Sequence, residues 1–234
     1  KGIQPSTFEG VEFLNSDNIF IGDNVKIQPS VLMNAENGPI IIEADTTIYG
    51  QTYLEGPLYI GKRSLVKPLT LIQNSAFGPM CKLGGEIDTV IIQGYSNKVH
   101  EGHLGDSFVG EWVNLGSGTQ NSNLKNNYSF VEVELNNKKI ETNKTHIGTF
   151  IGDYTKTAIG TKLNSGSVIG LGSMIATYGF PSKLIDPFTW YINGEKRKVI
   201  LDKFFNTTYH CMNGRNKRLS ESEIDLLKKL YNKI

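Results

Sequence analysis

The stretch Asn97-Lys98-Val99-His100-Glu101-Gly102-His103 concentrates groups that do chemistry. His100 is the candidate general base, because a neutral imidazole takes up a proton near physiological pH. Glu86 is a candidate to orient that ring through its second nitrogen, the role a carboxylate plays for a histidine base. Asn114 offers both a donor and an acceptor to a bound substrate. The plainer alternatives stay open: a lone histidine is more often structural, and Glu86 and Asn114 also read as hydrogen-bonded corner residues. Lys67, Lys82 and Lys125 form a second set. An ammonium is a point charge suited to phosphate, although simple solvent exposure accounts for each lysine taken singly.

These groups need a scaffold, and a six-residue period supplies one. Ile42, Ile48, Leu54, Ile60, Val66 and Ile72 are all aliphatic and evenly spaced. Six matches neither the helical 3.6 nor the strand 2.0. It matches a coil with three flat faces, each sending one aliphatic side chain inward, stacked into a β-solenoid. Gly, Asp and Asn beside these positions, as in Ile60-Gly61 and Ile21-Gly22-Asp23, suit tight corners. The period starts at Ile21 and Ile27, blurs over 34–39 and breaks at 74–79. It survives only in part from Cys81 to His103, where polar residues crowd in. A second run, Ile151, Thr157, Leu163, Ile169 and Ile175, ends the array. The pattern is expected to stop after Tyr178-Gly179-Phe180-Pro181.

Two segments lie outside the period. The Asn- and Lys-rich insertion 120–145 reads as a hairpin or extended loop, with Val131, Val133 and Leu135 alternating before an Asn136-Asn137 turn. Phe188–Ile192, Asn193-Gly194 and Lys196–Leu201 read as a second hairpin. Ser220 and Glu223 form a capping box for a helix to about Ile234, with an apolar stripe of Ile224, Leu227, Leu230, Tyr231 and Ile234. The expected domains are a β-helix over 1–185 carrying the insertion, and a hairpin-plus-helix tail over 186–234. The tail is expected to cap the open end of the solenoid or to pack on a neighbouring subunit.

Composition narrows the partners. The 234 residues carry a net charge of +1, which gives no general footprint for nucleic acid. No apolar run reaches membrane-spanning length and no signal peptide opens the chain, so no membrane partner is expected. Cys81 and Cys211 cannot build a disulfide framework, and a reduced, cytoplasmic setting is the default. The chain begins at Lys1, which leaves an upstream domain open. There is no P-loop, dinucleotide fingerprint or Gly-x-Ser-x-Gly elbow. Trimeric β-helical carbonic anhydrases hold metal on one histidine followed, after a long gap, by a close pair. Here the close pair, His100 and His103, precedes His146, and no metal is expected.

The aliphatic period resembles that of the hexapeptide-repeat acyltransferases. The resemblance implies an all-β, left-handed parallel β-helix that assembles as a homotrimer. The left hand comes from the family alone, since general chain physics favours right-handed crossovers. The run His100-x-x-x-Leu104-Gly105-Asp106-x-x-Val109-Gly110-x-x-Val113-Asn114-Leu115-Gly116-Ser117-Gly118-Thr119 resembles the acetyltransferase half of the bifunctional enzymes that make UDP-N-acetylglucosamine. Gly78–Glu86, Gln93–Lys98, Gly110–Gly116 and Asn121–Asn126 are closer still to a related family that joins a sugar-nucleotidyltransferase domain to the β-helix.

This resemblance implies acetyl-CoA-dependent N-acetylation of an amino-sugar phosphate, glucosamine-1-phosphate or a similar compound, in nucleotide-sugar biosynthesis. It places His100 at the catalytic base and Glu86 at its carboxylate partner. Lys67, Lys82, Asn97, Lys98, His103, Asn114 and Lys125 fall to substrate binding. Ser117, Gly118, Gly152 and Gly170 fall along the acetyl-CoA groove. Apart from the resemblance, Arg197, Arg215 or Arg218 of the basic tail are candidates for the CoA phosphates, with a solvated tail as the equal alternative. The chain departs from the pattern where His103 replaces a tyrosine, Asp88 a lysine and Lys67 an arginine. The competing expectations are a non-catalytic, trimerising or regulatory β-helix and a zinc hydratase.

Overall fold

In a computed structural model, which describes residues 8–135 and 138–234, the chain winds as a three-sided parallel coil. The first face begins with Glu12–Leu14 and Val31–Asn34, and the second with Ile19–Ile21 and Ile40–Ile42. Thr52–Ile60, Glu86–Gly94 and His103–Glu111 run round the corner from the first face to the second. The third face is a ladder of mostly two-residue strands, among them Leu65–Val66, Lys82–Leu83, Asn97–Lys98, Asn114–Leu115 and Lys156–Thr157.

The register explains the period. Ile42 stacks under Ile60, Ile48 under Val66 and Leu54 under Ile72, each pair three hexads apart. All six members of the first run are 1% exposed or less, and the second run is buried as well. The middle turns are shorter, which is why the spacing breaks there: Ile72 pairs with Ile87 and Ile87 with Leu104, fifteen and seventeen residues apart. In this region Lys98 takes an interior position, between Leu83 and Leu115.

The corner between the second and third faces needs a left-handed residue in turn after turn. Asn24, Asp45, Arg63, Met80, Tyr95, Trp112 and Tyr154 all sit there with φ between 53 and 62°. For a bulky side chain that conformation costs about 1–2 kcal/mol. The aromatic members recover part of it by packing. Tyr95 stacks on Trp112 at 4.5 Å, and Tyr154 and Phe188 meet Phe204 edge-on.

Outward on the second face, Phe20, Ile41, Tyr59, Ala76, Ile91, Phe108 and Phe150 follow one another in register. Six of the seven are large exposed hydrophobics, Ala76 being the exception.

The insertion forms the expected hairpin, Glu132–Leu135 against Lys138–Glu141. Its Asn136-Asn137 turn lies outside the described residues. Val131 and Val133 are buried, and Val131 packs where a side chain on Gly166 would sit.

The tail departs from expectation in three ways. The coil does not stop near residue 181, because Leu184–Ile185 and Thr189–Ile192 continue the second and third faces, with Ile185 and Tyr191 turned inward. The hairpin strand Glu195–Lys198 then pairs with Thr189–Ile192 at the edge of the third face. An unforeseen helix follows, α1 (Leu201–Asn213), ahead of the capped helix α2 (Glu221–Asn232). The Ser220–Glu223 capping box of α2 is present. Finally, the helices do not cover the end of the coil. They lie along its flank, where Phe204, Phe205, Met212 and Leu227 share a core with Trp112 and Phe188, and with Tyr95, Tyr154 and Leu171 at its margin.

Ile72→Ala empties a fully buried slot in a coil that cannot collapse sideways. It should lower stability by about 2–5 kcal/mol, whereas Leu69→Ala, at a corner 74% exposed, should change it by less than about 0.5 kcal/mol. Urea denaturation of the two variants checks the contrast.

Candidate active site at one edge of the coil

The edge between the third and first faces collects most of the expected groups. Third-face strands Leu65–Val66, Lys82–Leu83, Asn97–Lys98 and Asn114–Leu115 end there, so Lys67, Gly84-Gly85, His100 and Ser117-Gly118 lie at successive corners. Glu86 and His103 open the first-face strands of the same edge. Lys67 is two coils from His100, about 10 Å at the usual spacing, with its ammonium 5.6 Å over the Tyr49 ring.

The His100 corner is held from both sides. Gly84-Gly85 of the preceding coil passes close to it. A Cβ on Gly84 would strike the Val99 carbonyl, and Gly85 adopts φ 77° beside the His100 carbonyl, so both positions require glycine. From the interior, Lys98 Nζ donates to the carbonyls of Gly84 at 3.0 Å and His100 at 2.5 Å, with Glu101 O at 3.5 Å. Lys98 therefore does not face a substrate, as the resemblance implied. It is buried and consumed in fixing the backbone beneath His100.

The His100 side chain is exposed. Its expected carboxylate partner goes elsewhere: Glu86 Oε1 lies 3.2 Å from His103 Nδ1. The reason is register, since Glu86 and His103 are direct neighbours across two parallel strands while His100 precedes its strand. The carboxylate beside His100 is Glu101, which accepts from Ser117 Oγ at 2.9 Å. The Ser117 hydroxyl is the main cause holding the Glu101 carboxyl below the usual range, and the His100 charge adds to it. Beyond His103, Asn123 Nδ2 donates to Asp106 Oδ2 at 2.6 Å. The space over Gly105, where a side chain would otherwise stand, is taken by the His103 ring and the Asn123 amide.

Around the outer side of the third face lies a cavity of about 450 Å³. It brings together Lys82, Asn97 and Asn114, three of the expected substrate residues. Asn97 Nδ2 donates to Asn114 Oδ1 at 3.0 Å. The cavity adds Lys156, Tyr95, Trp112 and Cys211, to which the sequence gave no site role, and it is joined by Arg215 of the tail, one of the three arginines expected near the carrier's phosphates.

The remaining expected residues are not gathered here. Lys125 is in the insertion, donating to Phe130 O at 2.5 Å and lining a separate cavity with Asn126, Asn164 and Lys183. Ser117 and Gly118 share the His100 edge, but Gly152 and Gly170 follow second-face strands and sit at the opposite corner. Those two glycines serve close passage, since a Cβ on either would meet the backbone of the next coil. Among the described residues no three His, Cys, Asp or Glu side chains converge as a metal-holding group. No helix among them is long and apolar enough to cross a membrane.

Burial pushes the Lys98 ammonium down to about 8, with Glu101 pulling it partly back. An unfolded lysine titrates near 10.4. Between those values the unfolded chain holds a proton that the folded chain has released, so stability rises with pH across that window. Wild type should gain up to about 3 kcal/mol over Lys98→Met as pH climbs from about 8 to about 10.5. Paired urea melts at each pH measure it, and a flat difference would show that burial does not depress this ammonium.

No protein-family model matches the chain. Over 188 residues, 76% of the chain, it is 35% identical to a bifunctional sugar-1-phosphate nucleotidylyltransferase/acetyltransferase of Sulfurisphaera tokodaii. It is 27% identical over 215 residues to the bifunctional protein GlmU of Carboxydothermus hydrogenoformans. In each case the match spans 42% of the relative's own length. A solved Arabidopsis UDP-N-acetylglucosamine acyltransferase overlaps 94% of this chain and 88% of its own, at 12% identity and a TM-score of 0.33, too little to inform the site. On its six-residue period, its three-sided parallel coil and its likeness to these sequences, the chain is a hexapeptide-repeat β-helix protein related to the bifunctional sugar-1-phosphate nucleotidylyltransferase/acetyltransferases.

Proposed function

We propose that the chain is an acetyl-CoA-dependent N-acetyltransferase acting on an amino-sugar phosphate, with glucosamine-1-phosphate as the first acceptor to test. The observation that carries this reading is the exposed His100 imidazole on a corner clamped by Lys98 and Gly84-Gly85. It stands in a chain whose 35% identical relative is named an acetyltransferase.

In the reaction the acceptor nitrogen attacks the thioester carbon and loses a proton to His100. The tetrahedral intermediate collapses, the C–S bond breaks, and the imidazolium returns the proton to the leaving thiolate. A positioned base contributes about 10²–10⁴-fold. The Ser117 and Gly118 N–H groups donate to no backbone carbonyl among the described residues, and they are assigned to the oxyanion. The Glu86–His103 pair binds the acceptor beside His100, and Lys67 on the same edge faces its phosphate.

The acyl carrier and the acceptor meet in a groove completed by a second copy. The apolar ladder on the second face supports a homotrimer, because a soluble chain rarely leaves so long an apolar row uncovered. Two unpaired cysteines fit a cytoplasmic setting.

His100→Ala should keep its fold and lose about 10²–10⁴-fold in kcat in a thiol-release assay with acetyl-CoA and glucosamine-1-phosphate. Near-normal turnover would remove His100 from the chemistry. Ile91→Lys combined with Phe108→Glu should reduce the solution mass by light scattering to that of one chain. An unchanged oligomer would place the interface elsewhere.

A further inference from the structure

We infer that the cavity under α1 is a phosphate-ester site, built by Lys82, Lys156 and Arg215 around the paired amides of Asn97 and Asn114. This deepens the acceptor-binding reading above and rests on it only for which phosphate ester is taken.

The site is assembled by register. Lys82, Asn97, Asn114 and Lys156 are consecutive partners on the third face, so they form one outward ladder with a cation at each end and amides between. Arg215, from the turn after α1, closes it from above. Its Nη2 donates to Asn97 Oδ1 at 2.6 Å, its Nη1 donates to the Tyr95 carbonyl, and its guanidinium lies 5.7 Å from the Trp112 ring centre. Lys217 adds a further positive charge 5.8 Å over Tyr95.

The charge there is uncompensated. The lining contains no Asp or Glu. Four ion pairs occur among the described residues, and none involves Lys82, Lys156 or Arg215. Burial lowers the pKa of both Lys156 and Arg215, and the charge of Arg215 lowers Lys156 further. Two partly buried cations that repel each other are unfavourable until an anion joins them.

Donors are also left over. Lys156 Nζ donates to the Trp112 carbonyl at 3.2 Å, which uses one of its three hydrogens. Asn97 has committed one of its two amide hydrogens to Asn114 Oδ1, and the Asn114 Nδ2 has no protein acceptor among the described residues. The remaining guanidinium hydrogens of Arg215, two ammonium groups and a free amide suit the several oxygens of a phosphate better than the two of a carboxylate. A volume of about 450 Å³ accommodates a phosphosugar or part of a nucleotide. The phosphate belongs either to the acceptor sugar or to the thioester carrier.

Calorimetric titration of the full chain with glucosamine-1-phosphate and, separately, with coenzyme A tests this without any acyl transfer. At least one should bind with Kd at or below about 1 mM. Lys82→Ala and Arg215→Gln should each weaken that binding at least about tenfold, with helical circular dichroism unchanged. Cys211 lines the cavity and is exposed, while Cys81 is buried. The ligand should therefore slow iodoacetamide labelling of Cys211 in wild type and not in the variants. Sugar phosphate binding assigns the cavity to the acceptor, and coenzyme A binding assigns it to the carrier; either supports the site. Binding that both variants retain, or no binding and no protection of Cys211, overturns it. Retained phosphate binding with no acetyl transfer would instead sink the transferase reading and leave this site standing.

Discussion

Stacking backbone on backbone at about 4.8 Å per turn leaves the interior of a three-sided coil very little room. Each turn sends in a few side chains, and each lies directly on the equivalent residue of the turns above and below. Ile42, Ile60 and Phe77 form such a column, as do Ile48, Val66 and Leu83. A polar residue in a column cannot reach water and must find its partners in the coil's own backbone. Lys98 meets that demand with three carbonyls, and all three belong to the corner carrying His100 or to the corner one turn before it. The same constraint that forbids charge in the interior makes this charge a brace for the exposed edge.

The regular part of the fold was legible because the stacking repeats. Six aliphatic residues at one spacing are three columns sampled in turn, one per face, and all six are buried. Where turns shorten to fifteen or seventeen residues, spacing loses phase and the sequence reads as disorder in the pattern. Nothing in the order of residues says which loop was shortened. The last turn was missed for a similar reason, because sixteen residues separate Ile169 from Ile185 and the intervening Tyr178-Gly179-Phe180-Pro181 looks like a terminator. Helix α1 has no capping side chain at Ile200, so its start carried no signal of the kind Ser220 gave for α2.

The candidate site was legible as a region and not as a set of contacts. His100, Glu86, His103 and Ser117 do share one edge, since residues near the ends of third-face strands and the starts of first-face strands converge there. Pairing is decided by register, and a three-position difference sends Glu86 to His103 and not to His100. The resemblance put Lys98 among the substrate-binding residues, lysine is rarely buried, and only its column, between Leu83 and Leu115, shows it turned inward. Lys156 gave no signal at all. It lies 42 residues beyond Asn114, across the insertion, yet is its direct neighbour.

The insertion and the tail together determine what the third face can do. A loop that leaves and re-enters the coil without disturbing its stacking lets residues from distant sequence become adjacent rungs. The tail then selects which rungs are covered. Tyr95, Trp112 and Tyr154 occupy left-handed corners that suit glycine or asparagine, and beyond the Tyr95–Trp112 stack their rings gain contacts because α1 and α2 lie against them. Aromatic corners and helices are thus mutually dependent, and their join holds Arg215 over Asn97. Had the helices capped the end of the coil, these corners would carry backbone strain with less compensation and the third face would be a bare ladder. Laid along the flank, they turn that ladder into a walled, positively charged cavity one corner away from the imidazole.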